Sequence, residues 1–390
     1  MSRMIQEKIK RDLASLCEYR KGKVSVEQLN KNTYISTENM LPNKGGVTSA
    51  TSLPNISLAQ EFRKHDILVS NIRPYFKKIW KAEYDGGCSN DVLVFRAKDD
   101  CDPTFLFYLL ADDNFFNYAT ATAKGTKMPR GDKSAIMQYS VLVFDIDTQK
   151  KIGALLWSID QKVRLNNQIN ENLEQQAKAY FQELFIENAD PNWKLGTISD
   201  LGTVVGGSTP SKSKPEYYTE KGIAWITPKD LSVNKYKFVS RGENDITELG
   251  LKNSSASIMP EGTVLFSSRA PIGYIAIAAG EVTTNQGFKS VVPKPEIGTA
   301  FVYFFLKQNL SLIEGMASGS TFKEVSGSTM KSIPATVPAA DTISKFNDFC
   351  TPIFTQQRIL EEQNQSLTEL RNSLLPKLMA GEIDLSEVQF

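Results

Sequence analysis

The sequence holds a single histidine, His65, and that scarcity removes whole classes of chemistry. A histidine-dependent triad or a multi-histidine metal site would have to be assembled around this one side chain. It sits in Phe62-Arg63-Lys64-His65-Asp66, between charged residues and just before a strand-like run, where an exposed loop histidine is the plainer reading. The four cysteines, Cys17, Cys88, Cys101 and Cys350, form no C-x-x-C pair, so neither a zinc site nor a disulfide framework is indicated. Long hydrophobic runs are also missing. The longest, residues 299–306, is far short of the roughly 20 residues that cross a bilayer. The opening Met1-Ser2-Arg3-Met4-Ile5-Gln6-Glu7-Lys8 has no apolar signal region. A cytoplasmic chain without membrane contact is expected.

The nucleotide and cofactor motifs are absent as well. No G-x-G-x-x-G and no G-x-x-x-x-G-K-[ST] occurs. The run Val205-Gly206-Gly207-Ser208-Thr209-Pro210 is only loosely like a phosphate loop, and Pro210 removes an amide donor. Asp190-Pro191-Asn192-Trp193 lacks the second proline of the run that amino-methylating enzymes carry, and no carboxylate pair stands out for acid–base work. No catalytic residue, cofactor site or metal site is therefore assigned to the chain. Charge is nearly balanced at +1, which neither points to nucleic acid nor excludes it; where the basic residues cluster matters more.

What the sequence does have is a repeat. Residues 147–187 lie over 341–381 without a gap, at an offset of 194: Ile159 meets Ile353, Arg164 meets Arg358, Asn170 meets Asn364 and Leu184 meets Leu378. Upstream, residues 66–73 lie over 262–269 at an offset of 196, which sets Arg73 over Arg269. Such a period is too long for a solenoid and reads as a duplicated module of one globular unit plus one long helix. Within each helix, apolar or small residues recur at alternating steps of four and three, from Ile152 to Leu184 and from Phe346 to Leu378, the spacing of a coiled-coil seam. Pro352 predicts a start or kink in the second helix, and Pro376 an end or kink near its C-terminus.

The expected fold is α/β (α+β): two globular domains joined by two long antiparallel coiled-coil helices with pseudo-twofold symmetry. Residues 1–147 form the first domain, 148–187 the central helix, 188–340 the second domain, 341–380 the C-terminal helix and 381–390 a tail. Setting Asn170 against Asn364 makes position numbers across the seam sum to about 534 and pairs Leu156 with Leu378, Tyr180 with Ile353 and Leu184 with Cys350. The alternative leaves both asparagines exposed and aligned through ancestry alone.

Basic loops recur in both units. Arg73, Tyr75, Lys77 and Lys78 sit at a strand-to-strand turn; Lys124, Lys127 and Arg130 share a Gly-containing loop matched by Lys323. Ser208, Thr209, Lys212 and Lys214 precede Tyr217-Tyr218; Lys229 follows Thr227-Pro228; Ser268 and Arg269 end a strand. Arginine reads guanine bidentately and lysine neutralises phosphates. Taken singly, each loop also fits a solvated surface, and Arg73 and Arg269 also fit arginines that pin their own turns.

The run Trp193-Lys194-Leu195-Gly196, then Gly206-Gly207-Ser208-Thr209-Pro210, then residues 222–231 (Gly-Ile-Ala-Trp-Ile-Thr-Pro-Lys-Asp-Leu), resembles the target-recognition domain of type I restriction–modification specificity subunits. Residues 262–269 and the Gly319-Ser320-Thr321 turn continue the likeness, and the two helices look like the central and C-terminal conserved regions of that family. The first unit departs from it: residues 9–13 lack the W-x-x-x-x-L-G start, and Glu18-Tyr19-Arg20-Lys21-Gly22-Lys23 replaces G-G-S-T-P. The resemblance implies a non-catalytic subunit whose domains each read half of a bipartite target in double-stranded DNA. The helices would set the spacer, near one helical turn of roughly 34 Å, and dock two methylation subunits that use S-adenosylmethionine. Two restriction subunits would add ATP- and Mg-dependent cleavage. Two rivals remain from the residues alone: a coiled-coil scaffold that bridges two protein partners without binding DNA, and a stand-alone enzyme.

Overall fold

Asp145 starts the first long helix: its carboxylate accepts the Thr148 amide at 2.9 Å and the Thr148 hydroxyl at 2.8 Å, an N-cap. These bonds hold the Asp145 carboxyl below the usual carboxylate range. In this computed structural model, which describes residues 9–319 and 323–385, the helix spans Ile146–Gln182 and ends in a π-helical turn, Glu183–Glu187. Ser320, Thr321 and Phe322 of the expected second basic loop lie outside the described residues, as do residues 1–8 and the end of the tail, 386–390. The second long helix spans Ala340–Met379 and runs through Pro352 and Pro376, so neither proline starts or ends it. Gly381, with φ of +62°, follows its end, where left-handed backbone favours glycine. Among the described residues no helix is long and apolar enough to cross a membrane.

The chain divides into two units, Met1–Val163 with Gln365–Phe390, and Arg164–Asn364. Each long helix thus contributes one half to each unit. In the first unit, strands Cys17–Tyr19, Val92–Ala97, Ile67–Ser70 and Ile79–Lys81 form an antiparallel sheet in that order. A second sheet, of Lys23–Ser25, Leu58–Phe62, Gly86–Cys88 and Tyr34–Ile35, ends in a parallel pair. The helix Pro103–Ala111 is capped by Asp102, and Asp112 starts a separate helix, Asp113–Ala121. Ile152 and Leu156 of the first long helix and Leu375 and Leu378 of the second bury against Phe105, Leu106 and Leu109. Each such side chain contributes about 1.5–3 kcal/mol on burial. Buried Gln149 fastens the long helix to the loop before Pro103: it accepts the Asp102 amide at 3.0 Å and donates to Asp100 O at 3.2 Å. The Tyr108 hydroxyl donates to Asp160 at 2.6 Å, and Arg371 from the other long helix meets the same carboxylate at 2.7 Å.

The second unit repeats this plan with additions. Gly202–Gly206, Lys289–Pro293, Val264–Ser268 and Ile272–Ala278 form the larger sheet, and Phe238–Val239 adds a parallel edge strand. The smaller sheet is Tyr218–Thr219, Asn244–Ile246, Ile223–Ile226 and Thr283–Thr284, again ending in a parallel pair. Phe181 and Phe185 from one long helix and Phe346 and Phe354 from the other enclose Phe301 and Phe304 of the helix Thr299–Gln308.

The helical segments of this unit run antiparallel, but in a register one turn from the expected one. Asn166 Nδ2 donates to Asn364 Oδ1 at 2.9 Å, and Asn364 Nδ2 donates to Asn167 Oδ1 at 2.7 Å. Asn170 instead faces Gln357, whose Nε2 donates to the Asn170 carbonyl at 3.0 Å. Tyr180 accordingly lies over Phe349 at 4.7 Å and Phe346 at 6.1 Å rather than against Ile353. The aromatic end decides the register. Phe181 packs edge-on to Phe346 at 5.6 Å, and large aromatic burial outweighs the choice between two asparagines one turn apart.

A buried ionic cluster joins the helices to this unit's domain. Lys237, on the short edge segment, is paired with Glu174, donates to Gln357 Oε1 at 2.6 Å and lies 4.0 Å from the Phe354 ring centroid. Glu361 accepts the Lys237 and Phe238 amides at 2.8 and 3.0 Å, and Tyr303 donates to Glu174 at 3.1 Å. Burial pushes the Lys237 ammonium down and the Glu361 carboxyl up. Burial also works against the Glu174 carboxylate, but Lys237 and Lys307 together outweigh it and hold that carboxyl below its ordinary range. Removing one partner of a buried pair strands the other charge, at about 3 kcal/mol, whereas an apolar replacement of both is close to neutral. Glu174→Ala should therefore lower stability in urea unfolding by about that amount, and Glu174→Leu combined with Lys237→Met should lower it less than Glu174→Ala alone.

Candidate functional site

In the first unit, three segments meet beyond the strand Ile67–Ser70. The Asn71 amide donates to Asp91 O at 2.8 Å, the Gly131 amide to Asn71 O at 3.1 Å, and the Arg73 amide to Pro129 O at 2.8 Å. Lys124 and Arg130 exchange both backbone hydrogen bonds, at 2.8 and 2.9 Å, and so close the loop between them. Arg73 is left-handed, with φ of 50°, and its Nε is buried without a partner, as is Asn71 Oδ1. At the rim, Arg130 reaches Asp91 at 3.1 Å, Lys124 pairs with Asp132, and Lys23 donates to Asn90 at 3.3 Å. The Lys124 hydrogen bond and the Ala135 and Ser134 amides hold the Asp132 carboxyl below its usual range.

The second unit builds the same junction. Ser268 donates its amide to Gly287 O at 2.7 Å, and the Val325 amide donates to Ser268 O at 3.0 Å. Ser318 and Glu324 exchange backbone hydrogen bonds at 3.0 and 2.8 Å. Glu324 lies between Arg269, at 3.5 Å, and Lys289, at 3.4 Å. The G-G-S-T-P segment closes the rim. Gly207 runs so near Thr284 and Asn285 that a Cβ there would collide with the Asn285 carbonyl, which is why glycine occupies it. The next residues are pinned: the Ser208 amide donates to Thr284 O at 2.9 Å, and Trp225 Nε1 donates to Ser208 O at 3.0 Å. The Thr209 hydroxyl then bonds the Gln286 side chain, as Lys23 bonds Asn90 in the first unit.

These hydrogen bonds correct the alignment of the two strands. Asn71 and Ser268 make the same two backbone contacts, to Asp91 and Gly131 and to Gly287 and Val325, so the equivalence runs at an offset of 197 rather than 196. Arg73 then matches Ala270: both have φ of 50° and both precede a proline. Arg269 matches Ile72, which bridges Arg130. One residue of slip turns a side chain to the other face of a strand, so the two arginines are not counterparts.

The other expected site residues fall into three groups. Lys127, Lys212 and Lys323 are exposed, Tyr75 is half-exposed against Phe76, and Lys214 lies 5.3 Å from the Tyr217 ring centroid. Lys77 and Lys229 are in ion pairs, with Asp113 at 2.9 Å and Glu243 at 2.6 Å. Ser268 and Lys78 are turned inward. The buried Ser268 hydroxyl donates to Gly287 O at 3.1 Å, and Lys78 donates to Thr37 O at 2.6 Å, with burial pushing its ammonium down. They support the junction instead of lining its rim. Asn90, Asp91, Gln286, Lys289 and Glu324 belong to the rim without having been singled out in the sequence. The polar turn Thr284-Asn285-Gln286-Gly287, between two strand-like runs, was the available signal.

The family model described as "Type I restriction modification DNA specificity domain" matches the chain twice, over residues 6–175 and 191–373. The type I restriction enzyme MjaIX specificity subunit of Methanocaldococcus jannaschii is 40% identical over 191 residues, 47% of this chain and 44% of that protein, so that match spans less than half of the relative. The HindI specificity subunit of Haemophilus influenzae is 24% identical over 436 residues, 90% of this chain and 94% of that one. A solved S subunit of a type I restriction–modification system from M. genitalium shares the fold, with a TM-score of 0.61 at 17% identity, covering 97% of this chain and 98% of that one.

The division between support and rim is measurable. Ser268→Ala removes a buried hydrogen bond and leaves the Gly287 carbonyl with the residue-268 amide as its donor, so it should cost about 1 kcal/mol in urea unfolding. Lys323→Ala, at an exposed position, should stay within about 0.5 kcal/mol.

Proposed function

The chain belongs to the type I restriction–modification DNA specificity family, a sequence-specificity subunit rather than a catalytic one, and from that premise we propose how its parts divide the work. Residues 1–147 and 188–340 each read one half of a bipartite target in double-stranded DNA. Residues 148–187 and 341–380 form an antiparallel coiled-coil pair that relates the two readers by a pseudo-twofold axis and sets the spacer between half-sites. The pair docks two methylation subunits, which carry S-adenosylmethionine, and two restriction subunits bring ATP and Mg. The assembly works in the cytoplasm.

One observation carries this reading: both units build the same junction of strand end, polar turn and closed loop, and furnish it with different side chains. A duplicated scaffold with divergent rims is what reading two unlike half-sites requires, because base contacts specify and backbone contacts only position. Arg130, Lys124, Lys127 and Lys23 supply the first rim, with Arg73 beneath it. Thr209, Gln286, Lys289, Arg269 and Lys323 supply the second, flanked by Ser208, Lys212 and Lys214. Lys78 supports the first junction from within, and Tyr75, Lys77 and Lys229 lie outside the rims and act by positioning the turns or the phosphates.

Co-expressed with its methylation subunit, the chain should direct adenine methylation to one bipartite motif, read by genome-wide methylation mapping; the absence of any such motif would falsify the assignment. Binding to duplex DNA should fall steeply as salt rises, whereas a protein-bridging scaffold would show no such dependence. The spacer role has its own test. One heptad inserted between Asp160 and Asn166, matched by one between Asn364 and Arg371, lengthens the pair by about 10 Å. That should lengthen the spacer by roughly three base pairs and leave both half-sites unchanged.

A further inference from the structure

The closed loop ends on opposite charges in the two units. Position 130 is arginine and its counterpart, 324, is glutamate; each closes its loop by the same two-way backbone exchange with Lys124 or Ser318. Each also finds an ion-pair partner at the junction, but from a different element. Arg130 meets Asp91 of the polar turn at 3.1 Å. The equivalent of Asp91 is Gly287, which has no side chain, and Glu324 instead lies between Arg269, at the strand end, at 3.5 Å and Lys289 at 3.4 Å. Arg269 in turn stands where the first unit has Ile72. The guanidinium has therefore moved from the loop to the strand end and the carboxylate from the polar turn to the loop, while an arginine–carboxylate pair is kept.

A merely structural ion pair has no reason to be kept through such an exchange. The backbone bonds already close the loop in both units, and a half-exposed pair adds at most about 1 kcal/mol. Arg130 is about 57% exposed and Asp91 36%; Arg269 and Glu324 are each 37% exposed. Solvent screens both pairs, and both can open to a ligand. Beside Arg130, Arg73 Nε and Asn71 Oδ1 are buried without partners, so the first junction carries polar capacity that its own chain does not use.

We propose that Arg130–Asp91 and Arg269–Glu324 are specificity-determining pairs, each reading one G·C base pair in its own half-site. The guanidinium matches guanine O6 and N7, and the carboxylate accepts from cytosine N4, both on the major-groove edge. The inference rests on the DNA-reading assignment above and adds which side chains carry the choice. In the free chain Arg130 and Asp91 face each other and Glu324 is shared by Arg269 and Lys289; on the correct duplex the guanidinium and carboxylate of each pair exchange one another for a base edge.

The test uses the chain assembled with its methylation subunit. Methylation motifs and bound sequences selected from randomised duplexes are compared for the wild type, Glu324→Gln and Arg130→Lys, with thermal unfolding as a check that each folds. Glu324→Gln should relax one G·C position in the half-site read by residues 188–340, by roughly tenfold in preference, with the other half-site unchanged. Arg130→Lys should do the same in the half-site read by residues 1–147. Unchanged preferences would overturn the proposal, as would a uniform loss of binding across all sequences, which is the signature of a phosphate or purely structural contact. A wild-type motif without a G·C pair in each half would also overturn it. A wild-type complex with no bipartite motif would instead overturn the underlying assignment.

Discussion

An apolar stripe along a helix of about forty residues is longer than a small α/β domain can cover, and it must still be buried. That requirement governs how this chain is assembled. Each long helix buries one half in one unit and the other half in the other, beside the opposite half of its partner. The domains then pack onto helical pairs through one recurring element. Helix Pro103–Ala111 and helix Thr299–Gln308 hold equivalent positions, and each extends a tyrosine to a carboxylate on the first long helix, Tyr108 to Asp160 and Tyr303 to Glu174. Around that shared contact the units diverge, with a partly buried Arg371 ion pair in one and the buried Lys237 cluster in the other.

The centre of the seam is polar, and its chemistry is specific rather than strong. Asn166 and Asn364 are fully buried, yet Asn166 Oδ1 and Asn170 Oδ1 accept no hydrogen bond. Buried amides fix register at some cost in stability. The apolar and aromatic ends supply the free energy and choose between registers one turn apart, and the buried asparagines disfavour alignments that would set them against apolar side chains.

The duplication and both long helices were legible in the sequence because each rests on a pattern in the residues themselves, a repeat at a fixed offset and apolar positions at steps of four and three. The misses were relational. Two asparagines one turn apart satisfy the same heptad pattern, and only the packing of Phe181 on Phe346 separates them. Likewise, Arg73 over Arg269 is an attractive match of letters, but the hydrogen bonds of Asn71 and Ser268 move it by one residue. The rim residues were hidden for a related reason. Gln286 and Glu324 are far apart in the chain, and Lys289, which bonds the Gln286 carbonyl and the Glu324 carboxylate, is what brings them to one place.

The first unit is not continuous in sequence. Its core includes Leu375, Leu378, Met379 and Leu385, and Lys151 donates to the Leu385 carbonyl at 3.2 Å. The second unit consists of the single stretch Arg164–Asn364. During synthesis, which proceeds at about 5–20 residues per second, the segment made later is therefore the first to have all of its parts. The first unit waits, with Leu156 and Phe105 uncovered, until the last residues of its core have left the ribosome. A chain interrupted before Leu375 would carry all of one unit and leave the core of the other short of Leu375, Leu378, Met379 and Leu385.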